Sequence, residues 1–204
     1  GFSHAMAHHT HPESEIVGIV KRSPDADPRL PYPVFTDFHA ALGETQPDLV
    51  VVATYTDTHA EYAIAAMEAG AHVFVEKPLA LTVTDARRVT ETAARLNRKL
   101  VVGYILRHHP SWMRLIDEAK ALGGPYVFRL NLNQQSEGAT WETHKALMQT
   151  TSPIVDCGVH YVDVMCQICG SRPVQVTGIG LRLSDEIPED MYNYGQLQVR
   201  FEDG

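Results

Sequence analysis

Cysteine is scarce in this chain: Cys157, Cys166 and Cys169 are the three in 204 residues. They are odd in number and late in the sequence, which excludes the paired, closely spaced framework of a disulfide-stapled secreted domain. Basic charge is short as well, with 17 Lys and Arg against 25 Asp and Glu and a formal charge of -8. A nucleic-acid binder draws its affinity from clustered cations that neutralise phosphates, so nucleic acid is not an expected partner. No apolar run approaches the roughly 18 residues of a membrane span. The first residues also lack the basic-then-apolar layout of a secretory leader. No membrane partner is expected, and the chain reads as cytoplasmic. Internal repeats and low-complexity tracts are missing too, which leaves an ordinary globular composition able to bury a core.

What the chain does have is a rhythm of short apolar runs: EIVGIV (15–20), PDLVVVAT (47–54), HVFVE (72–76) and KLVVGY (99–104). Their continuous rather than alternating character predicts strands buried on both faces of a parallel sheet. Between the second and third runs, Thr58 and Glu61 stand at capping-box spacing and Gly70 supplies a helix stop. The Ala- and Arg-rich segment 84–97 predicts another helix. Strand, helix, strand, helix, strand implies right-handed crossovers and a doubly wound α/β, Rossmann-like lobe over residues 1–105.

Past Tyr104 the pattern changes. A helix is predicted over 110–122, stopped by Gly123 and Gly124, and YVFRLNLN (126–133) then alternates, with Tyr126, Phe128, Leu130 and Leu132 on one face. GQLQVRF (195–201) alternates likewise, setting Leu197, Val199 and Phe201 opposite Gln196, Gln198 and Arg200. One-sided strands suit an antiparallel sheet with one covered face, so 106–204 is expected to form an α/β lobe on a largely antiparallel sheet. That sheet needs a cover, and a homo-oligomer would supply it. Both ends read as cut: a helix-like stretch follows Gly1 at once, where a strand and glycine-rich turn would precede it, and FEDG closes on a turn. A piece of a longer chain is expected.

In such a lobe ligands bind at the carboxyl ends of the parallel strands. The first run ends in Lys21, Arg22 and Ser23, which match a ribose 2'-phosphate better than a free 2'-hydroxyl and so favour NADP over NAD; a solvated basic turn is an equal reading. The second ends in Thr54, Tyr55 and Thr56, with His59 close behind, polar where a cofactor would pass, although capping alone accounts for Thr58. The third ends in Lys77, which beside an oxidised nicotinamide could polarise a substrate oxygen, or could simply pair with Glu76. Asp156 and His160, in DCGVH, are four apart and share a face if helical. A carboxylate orienting an imidazole suits a base that takes a hydroxyl proton, while the structural alternative makes Asp156 a helix cap and His160 a packing residue. No metal site is expected. The Cys166 and Cys169 pair sits in an apolar helical pattern without a second pair, and His4, His8, His9 and His11 read as an exposed helix face.

ATYTDTHAEYAIAAMEAGAHVFVEKPLA (53–80) resembles the signature region of the Gfo/Idh/MocA oxidoreductase family, and DCGVHYVD (156–163) is similar to its DxGxH motif. The resemblance implies a Rossmann lobe followed by an α/β lobe whose sheet often forms the oligomer interface. It also implies hydride transfer between NADP or NAD and a sugar, polyol or related alcohol or ketone. Lys77 matches the lysine of the EKP signature, and Asp156 and His160 match the acid and histidine of DxGxH. The Glu76, Lys77 and Pro78 backbone would lie beside the nicotinamide ribose, with a cis bond into Pro78, and Phe2 and Ser3 beside the diphosphate. Two readings stay open beside it: an NAD-dependent glycoside hydrolase of the same family, and a cofactor-binding protein without catalysis. Tyr55 stands where the family commonly has proline, and His4 where its third loop glycine is expected.

Overall fold

Residues 1–203 are described by the computed structural model, which divides into two compact units, Gly1–Gly103 and a second beginning at Tyr104. The first opens with α1 (Phe2–Thr10), then a two-stranded parallel sheet of β1 (Ile19–Val20) and β2 (Val34–Phe35), and α2 (Phe38–Thr45). There follow β3 (Leu49–Val52), a 3-10 turn (Thr56–Thr58), α3 (His59–Glu68), β4 (His72–Val75), α4 (Val83–Arg95) and β5 (Leu100–Val102). The sheet order is β3-β4-β5, parallel throughout, with Val52 beside Val75 and Val75 beside Val102.

β-branched side chains suit a strand buried on both faces, and Val73 and Val75 of the central strand are 1% and 0% exposed. Helices α3 and α4 close over them through Ala63, Ala66, Met67, Val89 and Ala93. Each buried valine contributes roughly 1.5–3 kcal/mol relative to leaving it in water. Just past α3, Gly70 has a φ of +100°, which admits only glycine without strain, and the Ala71 N–H returns to the Ala66 carbonyl at 3.0 Å. Helix α4 is capped by Thr82, whose hydroxyl accepts the Asp85 N–H at 3.0 Å.

The second unit holds α5 (Pro110–Leu122), α6 (Gly138–Leu147), a π-helical turn (Ile154–Gly158) running into α7 (Val159–Cys169), and an antiparallel pair, β6 (Pro173–Leu181) and β7 (Tyr194–Phe201). Its core packs Ile116 of α5 against Val164 and Ile168 of α7, with Trp112, Tyr126 and Phe128 around them. Among the described residues no helix is long and apolar enough to cross a membrane.

Several expectations are corrected. The run 15–20 forms a strand only at Ile19 and Val20, because its partner β2 offers two residues to pair with. Thr58 and Glu61 form no capping box: Thr58 is helical in the preceding 3-10 turn, and its hydroxyl donates back to the Tyr55 carbonyl at 2.9 Å. YVFRLNLN alternates only over its first half, with Tyr126 and Phe128 stacked at 5.8 Å against the core and Val127 98% exposed, while Leu132 is 49% exposed, and the segment is not a strand. Alternation shows which side faces inward; a strand also needs a partner ladder, and β7 pairs with β6 instead. Helix α2, helix α6 and β6 were not legible from periodicity.

Candidate active site

Three strand ends meet at one edge of the first unit. The last ladder bond between β3 and β4 is the Glu76 N–H to the Val52 carbonyl at 2.9 Å. Beyond it Thr54 and Tyr55 stand exposed, and Thr56 and Lys77 are half-buried. The first turn of α1 lies over the same edge, since a Cβ built on Gly1 would be 3.9 Å from the Ala53 carbonyl oxygen. Phe2 and Ser3 are exposed there, and the Arg29 guanidinium covers the Phe2 ring at 4.2 Å.

His4 ties that turn to the signature: its Nε2 is 2.6 Å from Glu76 Oε1, and its ring lies 5.0 Å from Phe74. Glu76 Oε2 in turn accepts the Lys77 N–H at 3.3 Å. The Lys77–Pro78 peptide is cis. His59 is 1% exposed, with Nδ1 2.7 Å from the Pro78 carbonyl oxygen and Nε2 3.2 Å from the Thr54 carbonyl oxygen, so its ring faces backbone. At the end of β1, Lys21 donates its N–H to the Phe35 carbonyl at 3.0 Å, and the Arg22 guanidinium lies 5.4 Å from the Tyr55 ring centroid. The Ser23 hydroxyl bonds to Asp25.

In the second unit Asp156 sits on the π-helical turn and His160 in the first turn of α7, so the two share one continuous helical stretch. The Asp156 N–H donates to the Ser152 carbonyl at 2.8 Å, and the Cys157 thiol lies 3.4 Å from Asp156 Oδ2. A π-turn widens the helix locally and recurs at functional sites. The Tyr104 ring stands edge-on to His160 at 6.4 Å.

Sequence reasoning missed the charge cluster beside His160. Arg107 makes a two-pronged bond to Asp163, with Nε to Oδ2 at 2.9 Å and an Nη to Oδ1 at 2.5 Å, and covers the Tyr104 ring at 5.0 Å. Asp163 is 8% exposed, and its carboxylate holds the Arg107 guanidinium above its ordinary range. Burial first, and then Asp163, push the Tyr104 phenol up. The one available signal was Asp163 itself, three residues past His160 in the same motif; its partner lies 56 residues away in sequence. Burial raises both the Cys166 and Cys169 thiols, with Asp163 adding to Cys166, which makes them poor nucleophiles. His8 pairs with Ser14 and His9 with Tyr32, and among the described residues no group of three or more His, Cys, Asp and Glu could hold a metal ion.

A parallel sheet with polar strand ends under a helix N-terminus, followed by helices and an antiparallel sheet, defines a two-unit protein of the dinucleotide-binding α/β class. Residues 1–104 match the family described as "Oxidoreductase family, NAD-binding Rossmann fold", and residues 113–204 match the "GFO/IDH/MocA C-terminal domain". The chain belongs to the Gfo/Idh/MocA oxidoreductase family. It is 31% identical over 169 residues to an inositol 2-dehydrogenase of Klebsiella pneumoniae, covering 80% of this chain and 48% of that protein. Among solved structures it resembles GenD2 from gentamicin A biosynthesis in complex with NAD, at TM-score 0.81 and 25% identity, covering 98% of this chain and 59% of that one. It also resembles an oxidoreductase domain protein from Kribbella flavida, at TM-score 0.80 and 27% identity, covering 99% and 61%. The chain spans about half the length of the curated relatives it matches.

Proposed function

We propose that the protein is a nicotinamide-dependent oxidoreductase that moves hydride between the nicotinamide and a polyol or sugar, from a carbinol carbon in oxidation and to the matching carbonyl carbon in reduction, with inositol-like rings as the first substrates to test. One observation carries this reading: Lys77 stands on the strand-end edge over which the first turn of α1 lies. The names of the relatives point the same way.

The residues at that edge fit a dinucleotide. The first-turn amides of α1, at Phe2 and Ser3, would hold the diphosphate. Thr54, Tyr55 and Thr56, with the Glu76, Lys77 and Pro78 backbone, would line the nicotinamide ribose. When bound, the nicotinamide supplies the hydride acceptor or donor. The chain's own residues do the proton work. His160 takes the proton from the substrate hydroxyl, Asp156 orients the imidazole, and the Lys77 ammonium stabilises the oxygen as it gains charge. The finer cofactor preference is NADP: Lys21, Arg22 and Ser23 follow β1, and Arg22, covering Tyr55, is suited to a 2'-phosphate. A second copy of the chain against the β6–β7 sheet completes the proposal.

Calorimetric titration with NADP and with NAD, followed by oxidation of a polyol panel, tests it. NADP binding more tightly than NAD, together with polyol-dependent formation of reduced cofactor, is the expected result. Tighter NAD binding overturns the preference alone. Sugar release without net cofactor reduction would replace oxidation by hydrolysis, and cofactor binding without turnover on the whole panel would remove the enzymatic reading.

A further inference from the structure

Lys77 can act on a substrate oxygen only if its turn is held in place, and the turn lies beyond the sheet that would hold it. The β3–β4 ladder ends with the Glu76 N–H to the Val52 carbonyl at 2.9 Å, one residue before Lys77. On the far side, the Pro78 carbonyl points away from any ladder and into the start of α3. There it meets His59 Nδ1 at 2.7 Å, while Nε2 of the same ring lies 3.2 Å from the Thr54 carbonyl. The ring is 1% exposed, and Pro78 is buried with it. A neutral imidazole carries one N–H, and the shorter distance assigns it to Pro78.

We propose that His59 is a positioning residue: it braces the lysine turn by holding the Pro78 carbonyl, and so acts on catalysis through Lys77 rather than by touching the cofactor. Lys77 is thereby bracketed, with its neighbours anchored on one side by Val52 of β3 and on the other by the first residue of α3. With its N–H on Nδ1 the ring makes no hydrogen bond to the Thr54 carbonyl on the adjacent strand end, which lies 3.2 Å from Nε2, so the brace acts through Pro78 alone. Loss of the ring would leave a buried carbonyl without its donor, and the turn would shift to find water. A displacement of about 1 Å at a reacting group is enough to cost on the order of a hundredfold in rate. The catalytic half of this inference rests on the oxidoreductase reading; the bracing half does not.

Three variants of the full protein, His59→Ala, His59→Asn and His59→Gln, test it. The asparagine amide nitrogen falls where Nδ1 lies and restores donation to Pro78, whereas the glutamine amide nitrogen falls where Nε2 lies and does not donate to Pro78. Amide hydrogen exchange at Lys77 and Leu79 reports on the turn without any substrate. The expected result in His59→Ala is exchange faster by about tenfold or more at these two amides, with kcat on the polyol down by about ten- to a hundredfold and dinucleotide Kd within about threefold. His59→Asn should recover both readouts better than His59→Gln. Unchanged exchange in His59→Ala, or no recovery in His59→Asn, overturns the bracing role. Dinucleotide affinity falling in step with kcat overturns it in favour of direct cofactor contact. If the wild-type protein oxidises no polyol while exchange follows the expected pattern, the oxidoreductase reading fails and the bracing role stands.

Discussion

Lys77 is half-buried at the strand-end edge, and an ammonium there contributes mainly when the substrate oxygen gains charge. Lys77→Met should therefore lower kcat by about a hundredfold or more, within the usual range for an acid or base group, and change dinucleotide Kd by less than about threefold. Steady-state kinetics beside calorimetry check this, and equal turnover in the variant would remove Lys77 from the chemistry. The Arg107–Asp163 pair is a second residue-scale device. Arg107→Met leaves a carboxylate that is 8% exposed without its guanidinium, so a loss of about 2 kcal/mol is expected in urea unfolding. Tyr104 beside them makes the alkaline side of the stability curve informative. Its phenol is held above the ordinary 10.0 by burial first and by Asp163 second, so the folded chain keeps the proton longer than the unfolded one. Its contribution is complete below about pH 10 and is lost as pH rises through the folded value. Tyr104→Phe should flatten the fall in stability above about pH 10, seen in melts on the alkaline side. Lys77, Asp156 and His160 stand out in the sequence as candidates because their motifs are local. Arg107 does not, because an ion pair spanning 56 positions leaves no trace in spacing.

At the scale of elements, the π-helical turn that carries Asp156 is seated by a strand. A Cβ on Gly195 of β7 would fall 2.4 Å from Ile154 Cδ1, so the absence of a side chain there lets the strand lie against the first residue of the turn. Gly195→Ala should push Ile154 aside and cost about 1–3 kcal/mol, as overpacking commonly does. Ile154→Val removes the offending methyl, and the double variant should recover most of the loss. A double-mutant cycle by thermal melting measures that coupling, and additive costs would mean that the two residues do not share the space. The neighbouring segment 126–133 shows the converse. Its alternation correctly marked Tyr126 and Phe128 as inward-facing, yet the segment is not a strand, because pairing depends on a partner elsewhere in the chain.

At the scale of the whole molecule, the β6–β7 sheet has two unlike faces. One face bears the contacts of Gly180 with Tyr192 and of Gly195 with Ile154. The other, which the alternation of β7 marks as polar through Gln196, Gln198 and Arg200, is apolar at one end, with Ile179 at 60%, Leu181 at 49% and Tyr194 at 41% exposure, and Leu181 and Tyr194 directly paired across the strands. A second copy of the chain would remove this apolar cluster from water. Ile179→Glu in the full protein should lower the sedimentation mass to a smaller assembly while leaving dinucleotide affinity intact. A wild-type monomer, or an assembly indifferent to the substitution, would locate the interface elsewhere or abolish it.

The sequence by itself determined the parallel lobe, the helices over its sheet, the two motifs and the change of pattern near residue 105. All of these are written in local periodicity or in contiguous residues, where burial and hydrogen bonding act within a few positions. Only the tertiary structure decided which strands found partners, that His59 faces two carbonyls instead of the open edge, that His4 meets Glu76, and that Arg107 neutralises Asp163. Each of those depends on groups far apart in sequence satisfying one another in a buried or half-buried place, and desolvation makes such pairing compulsory without marking it in any local pattern.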